Sequence, residues 1–227
     1  MTTSTLDHNK LAKKIWEDRQ RIVSQNSIFL KDKLMMEFGV HSGGSLRQFR
    51  KLYNMFVPQA SNSLLYGFDS FEGLPNETKD KNNPDYWSSG QFDLSGNIPS
   101  DLTEENGYKI YKGWFEKTLT KELADSLEGK QLGLLHVDCD IYSSAYTVLD
   151  FCFANNLVVP GTIIVYDDWG AYKDIPNVQT EYEMGEGLAH AEILTKYGKT
   201  ATLKEKNLMT SPPEHHQHYE VAVFVID

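Results

Sequence analysis

The sequence has 227 residues, 40% hydrophobic and 24% charged, the balance of a globular chain with one sizeable core. Its 22 Lys and Arg against 32 Asp and Glu leave a net charge of −10, and no Lys/Arg-rich run occurs. Nucleic acid needs a cationic stripe to displace counterions, so that class of partner is excluded; a cationic or metal-bridged ligand suits the field better.

At the N-terminus, "MTTSTLDHNKLAKKIWEDRQ" lacks an apolar h-region. No run of about 18 apolar residues follows, so no membrane partner is expected. Cys139 and Cys152 each fall inside a predicted core element, where a small buried thiol fits better than a disulfide. A cytoplasmic location is the expectation.

Leu11, Ile15, Ile22 and Val23 recur at helical spacing and predict an amphipathic helix from Asp7 to Ser27. "KLMMEFGVHSGGSLRQFRKLYNMF" then reads strand, glycine turn, helix. The strand is Leu34 to Phe38, and Ser45 is expected to cap a helix carrying Leu46, Phe49, Leu52, Tyr53 and Phe56 on one face. "SLLYGFDS" is the second strand, ending at Asp69. The span from Phe71 to Gly107, rich in Gly, Pro, Asn, Asp and Ser and without clear periodicity, reads as a functional lid or a disordered excursion. A third strand in "YKIYKGWF" and a helix in "TLTKELADSLEG" come next. The fourth strand, "LGLLHVD", leads to a helix from Ser143 to about Asn156, and the fifth is "GTIIVYD". A polar helix near Val178 to Tyr197 precedes two final strands, "TATLKE" and "YEVAVFVID".

Alternating strands and helices predict an α/β fold with helices on both faces. The seven-stranded sheet is mostly parallel, and the terminal pair supplies one antiparallel strand. Residues 1–30 read as an N-terminal helical extension and 31–227 as the domain.

"EFGVHSGG" has the spacing E-x-G-x-x-x-G, which differs from the dinucleotide form G-x-G-x-x-G. Glycines after a first strand let backbone approach a ligand, and the helix N-terminus that follows offers N–H groups to an anion. That anion is a pyrophosphate in a dehydrogenase, or the carboxylate of S-adenosylmethionine in a methyltransferase, with Glu37 near the ligand's ammonium. Asp69 and Ser70 stand where a ribose would be held. Gly113 and Trp114 follow the third strand, where an adenine would lie.

Ligands of open α/β sheets bind beyond the carboxyl ends of the strands. The fourth and fifth strands both end there in acid: Asp138, then Asp167 and Asp168. Carboxylates that close repel one another and call for a cation, and Mg²⁺ or another hard divalent ion takes oxygen ligands. Such an ion would orient a substrate hydroxyl and lower its pKa, which makes Asp138 catalytic through the metal. Asp140 reads as a fourth acid or a helix cap. His41, His136 and the His215, His216, His218 tract leave the general base unassigned.

In order along the chain, "MEFGVHSGGS", "GFDSFEGLP", "YKGWFEKTL", "HVDCDIYSS" and "GTIIVYDDW" resemble the macrocin and mycinamicin sugar O-methyltransferases, from about Leu34 to Trp169. The resemblance implies a Rossmann-like class I fold, S-adenosylmethionine as donor, Mg²⁺ and a sugar or glycoside hydroxyl as acceptor. It implies metal ligands at Asp138, Asp167 and Asp168, with cofactor contacts at Glu37, Gly39 and Asp69, and it makes a homo-oligomer an expectation. Cys139 departs from the glycine usual between the family's two acids, and Ile141 stands where catechol-type relatives carry a lysine. Two alternatives remain at this point: a metal-independent methyltransferase, and a non-catalytic domain that binds a nucleotide or a partner.

Overall fold

The sheet is built from segments apolar enough to be covered on both faces, as strands flanked by crossover helices must be. In the computed structural model, which describes residues 8–58, 63–76, 87–169, 178–210 and 218–227, these segments are β1 (Leu34–Phe38), β2 (Leu65–Asp69), β3 (Tyr108–Lys112), β4 (Leu132–Val137) and β5 (Ile163–Tyr166). All six residues of β4 are buried, as are all four of β5. The edge strand β3 is mostly half-buried. Two C-terminal strands, β6 (Ala201–Thr210) and β7 (His218–Ile226), complete a seven-stranded sheet of order β3-β2-β1-β4-β5-β7-β6. Only β7 runs against its neighbours, pairing antiparallel with both β5 and β6. The order reverses at β1 and β4, which pair in parallel. A crevice opens there, beyond their carboxyl ends.

Successive side chains of a strand face opposite ways, and β1 shows what this achieves. Met36 and Phe38 join Leu135, Val137, Ile164 and Tyr166 in one core beneath α6 (Tyr142–Ala154) and α7 (Gly185–Tyr197). Met35 joins Leu134, Ile163 and Val165 in the other, with Leu46, Phe49, Leu52 and Tyr53 of α3 (Gly44–Phe56) and with Ile22 and Val23 of α1 (His8–Gln25). Glu37 lies on this second face, and register sets it beside His136 of β4. A short α2 (Ser27–Leu30) links α1 to the sheet.

Three local expectations are revised. Ser45 is not the cap of α3; Gly43, at φ +78°, holds that position, and Ser45 lies within the helix with Oγ donating to Glu37 Oε1 at 3.0 Å. The helix expected after β3 is two, α4 (Phe115–Thr118) and α5 (Lys121–Ser126). Thr120 divides them because its hydroxyl accepts the Leu123 N–H and starts the second. The polar helix before β6 begins at Gly185, after a 3-10 turn at Glu181–Glu183. Within the expected extension of residues 1–30, the described part of α1 packs on α3.

Gly39 is fixed by close approach. Its φ is +91°, and a Cβ there would stand 1.7 Å from the Asp138 carbonyl oxygen. The β1 and β4 tips touch through backbone, and any side chain would part them. Gly39→Ala is expected to lower unfolding stability by about 3 kcal/mol or more, from strain and clash together, read as a lower urea midpoint.

Candidate active site

Five parallel strands end on one side of the sheet, and their tips enclose a cleft of about 270 Å³. Gly39 comes from β1, Asp69 and Ser70 from β2, Gly113 and Trp114 from β3, Asp138 from β4, and Asp167 and Asp168 from β5; all line it. Beneath them runs a row of rings: Tyr111 on Phe68 at 4.7 Å, Phe68 on Phe38 at 4.6 Å, and Phe115 edge-on to Phe38 at 5.6 Å. The described part of the long excursion supplies another wall through Gly73, Leu74, Pro75 and Phe92. A bridge between Glu72 and Asp93 ties the two ends of that wall together.

Asp69 organises the glycine turn. One carboxylate oxygen accepts the N–H groups of Val40 and His41 at 2.8 and 2.7 Å, and the other accepts that of Phe71 at 2.6 Å. The acid at the end of β2 therefore holds the loop after β1 in place. Ser70 Oγ donates to the Gly73 carbonyl and accepts the Glu72 N–H, closing the next turn.

Glu37, expected near the ligand's ammonium, does not line the cleft, and neither does Ser45, expected at the helix start that would face the ligand. Glu37 is fully buried, and its oxygens are taken by Ser45 and by His136 Nδ1, the latter at 3.0 Å. Direct contact with a ligand's ammonium is not available to a carboxylate so placed.

His136 is the centre of a charge network that the sequence did not reveal. Its Nε2 lies 3.5 Å from Asp167 Oδ1 and 3.3 Å from the Arg19 guanidinium. Arg19, only 5% exposed, donates to the same Asp167 oxygen at 3.0 Å and to Gln48 Oε1 at 2.9 Å. Burial alone would depress the imidazole pKa, but Asp167 and Glu37 outweigh it and raise it to about 10. Burial likewise opposes ionisation of Asp167, yet Arg19 and His136 draw its carboxyl well below the usual range.

The other acids lack such partners. Burial and the Asp167 charge push Asp138 up to about 8. Asp140, set aside on sequence, also lines the cleft; burial, then Asp138 and Glu186, hold its carboxyl well above the ordinary range. Burial, then Asp140 and Asp138, do the same for Asp168. Asp140 sits at φ +64° in a three-residue turn closed by the Ile141 N–H on the Cys139 carbonyl at 2.7 Å. Backbone held in that region by a non-glycine residue concentrates at functional sites. The signal available in the sequence was the H-x-D-x-D spacing itself.

The donor set suits a hard divalent cation: carboxylate oxygens dominate, and their crowding is uncompensated at Asp138, Asp140 and Asp168. Ligand atoms of His136, Asp138 and Asp167 lie within 4.8 Å of one another. Both His136 nitrogens are engaged, however, so the available donors are carboxylates. Asp167 has Oδ1 committed to Arg19, and among the described residues Oδ2 has no partner. Cys139 and Cys152 are free and buried, and burial raises both thiols, which fits inert core positions. His215 and His216 lie outside the described residues, as does the side chain of His218.

A family model described as macrocin O-methyltransferase (TylF) matches residues 21–195, about three quarters of the chain. The chain belongs to this family. The match reaches past Trp169, where the motif resemblance stopped, and makes the protein an S-adenosylmethionine-dependent O-methyltransferase of Rossmann-like fold. Solved structures similar to it include CalS11, a calicheamicin methyltransferase, at TM-score 0.64 and 21% identity over 97% of this chain and 80% of that one. A second, apo structure of CalS11, described as a TDP-rhamnose 3′-O-methyltransferase, aligns at TM-score 0.57 and 19% identity, covering 97% and 81%. The O-methyltransferase NovP aligns at 0.56 and 18%, covering 93% and 79%. No curated protein sequence matches the chain. No helix among the described residues is long and apolar enough to cross a membrane.

Two outcomes follow from the network. Arg19→Met strips Asp167 of its guanidinium and is expected to cost about 2–3 kcal/mol, seen as a lower melting temperature. His136 has a folded pKa of about 10, above its unfolded value near 6.5. Its stabilising contribution is therefore complete below pH 6.5 and fades as pH rises toward 10. Unfolding free energies from urea titrations in chelator should fall from pH 7 to pH 9.5 by up to a few kcal/mol, and His136→Asn should flatten that slope.

Proposed function

We propose that this methyltransferase acts on a hydroxyl of a sugar, free, nucleotide-linked or within a glycoside, with a divalent cation of the Mg²⁺ kind as helper. One observation carries the reading: Asp138, Asp140, Asp167 and Asp168 meet in the same cleft as Gly39, Asp69 and Trp114. The description of CalS11 as a TDP-rhamnose 3′-O-methyltransferase supports the sugar acceptor.

In this reading the donor lies across the tips of β1, β2 and β3. Gly39 lets its amino-acid end approach the backbone, Asp69 and Ser70 face the ribose, and Gly113 and Trp114 flank the adenine. Asp138, Asp167 and Asp168 would hold the cation, which when bound would supply Lewis acidity to the acceptor hydroxyl. The acceptor enters under the excursion, against Phe92 and Pro75. Asp140 takes the hydroxyl proton on a carboxylate oxygen, since Asp167 is committed to Arg19 and His136 while Asp140 faces the cleft. The oxygen's lone pair then displaces the donor's sulfur from the methyl carbon in line. The walls of the cleft keep the two reactants in register and limit competing water.

The Arg19 pairing favours one rival, a metal-independent enzyme of the same fold, because a fixed guanidinium already offsets part of the acidic charge. Transfer of labelled methyl from S-adenosylmethionine to nucleotide-linked deoxysugars, in Mg²⁺ and in EDTA, separates the two. Turnover should vanish in chelator and return with Mg²⁺; undiminished turnover in EDTA removes the cation. Asp140→Asn should lower kcat by about 10²–10⁴-fold while S-adenosylhomocysteine binds as before in calorimetry.

A further inference from the structure

Glu186, the second residue of α7, is an acid that methyl transfer does not use. It is 1% exposed and does not line the cleft. Its Oε1 accepts the N–H of Cys139 at 3.2 Å, and its Oε2 accepts the N–H of Asp168 at 3.2 Å. These amides belong to different strand tips. Cys139 follows Asp138 beyond β4, and Asp168 is the second acid beyond β5.

The backbone ladder between those strands stops just short of this point. Val137 pairs with Tyr166, and the Asp167 N–H reaches the Val137 carbonyl at 3.1 Å. Among the described residues, the next tie between the two tips is the Glu186 carboxylate. The base of that tie is itself fixed. Gly187 lies so close to the preceding 3-10 turn that a Cβ would stand 1.8 Å from the Glu181 carbonyl oxygen, and Gly185 enters the helix at φ +55°. The first turn of α7 therefore has little room to slide or rotate.

The burial has a cost. Glu186 sits among like charges, and a neutral acceptor would satisfy one such N–H without that repulsion. Two N–H groups that diverge from separate strands call for two acceptor oxygens at a fixed spacing, and a carboxylate supplies them.

We propose that Glu186 is a positioning residue that sets the separation of the Asp138 and Asp168 side chains, and through it the grip of the cleft on a divalent cation. This rests on the reading of the cleft as a cation site. It assigns Glu186 no contact with donor, acceptor or metal.

Mn²⁺ binding to the full chain, followed by electron paramagnetic resonance, is the test, with calorimetry of S-adenosylhomocysteine and thermal unfolding in chelator alongside. E186Q keeps the shape but presents a donor to one of the two N–H groups. E186D keeps the charge but falls one methylene short of spanning both tips. Both should weaken Mn²⁺ binding by about 10–100-fold, the range seen when groups supporting metal ligands are lost, and leave S-adenosylhomocysteine affinity within about threefold. Mn²⁺ affinity within threefold of the parent in both variants overturns the proposal. So does E186D binding like the parent while E186Q fails, since charge and not placement would then matter. Failure of the parent itself to bind Mn²⁺ removes the cation reading and this inference with it, an outcome distinct from failure of the variants alone. If unfolding shows that E186Q does not fold, E186D decides.

Discussion

Negative charge crowded at the tips of β4 and β5 is the constraint around which this protein is arranged. Carboxyl groups held in a partly dry cleft resist ionisation, and each one makes the next harder to charge. The fold meets this in two ways. Asp167 is neutralised from behind by Arg19 and His136, whereas Asp138, Asp140 and Asp168 face the cleft with carboxyls raised above their ordinary range. The first arrangement stabilises the empty protein. The second leaves carboxyls that ionise reluctantly, a cost that a bound cation would offset.

Arg19 shows how far such compensation reaches. It comes from α1, 148 positions before its partner Asp167, and it crosses the α3 face where Phe49 lies under the guanidinium at 5.3 Å. Gln48 of α3 takes another of its donors, so the helix pair and the strand tip are locked by one side chain. Glu37 belongs to the same network from the far side, through His136. An acid that reads as a cofactor contact is thereby a buried counter-charge, and the helix that reads as an appendage is part of the site's support.

The cleft also shows a division of labour between strand tips and loops. Asp69 after β2 spends its oxygens on backbone N–H groups, and Asp167 after β5 spends one on a cation from the protein itself, which fixes the turns around them. The excursion after β2 adds apolar wall rather than charge, with Leu74, Pro75 and Phe92 facing the opening.

Much of this was legible in the chain. Short apolar runs ending in glycine or acid located the strands, and helical spacing located α1 and α3, because burial on both sheet faces, or on one helix face, writes those patterns into the residues themselves. Glycine at 39 and acids at 69, 138, 167 and 168 marked the cleft, since strand ends are where an α/β sheet exposes its ligands. Tertiary structure alone decided the partners of the charges. Glu37 turned inward, Arg19 reached Asp167, and Glu186 came to span two strand tips lying 47 and 18 positions before it. Periodicity assigns a residue to a face, but a charge finds its partner by distance in space. Those distances exist only once the helices have packed across the strands.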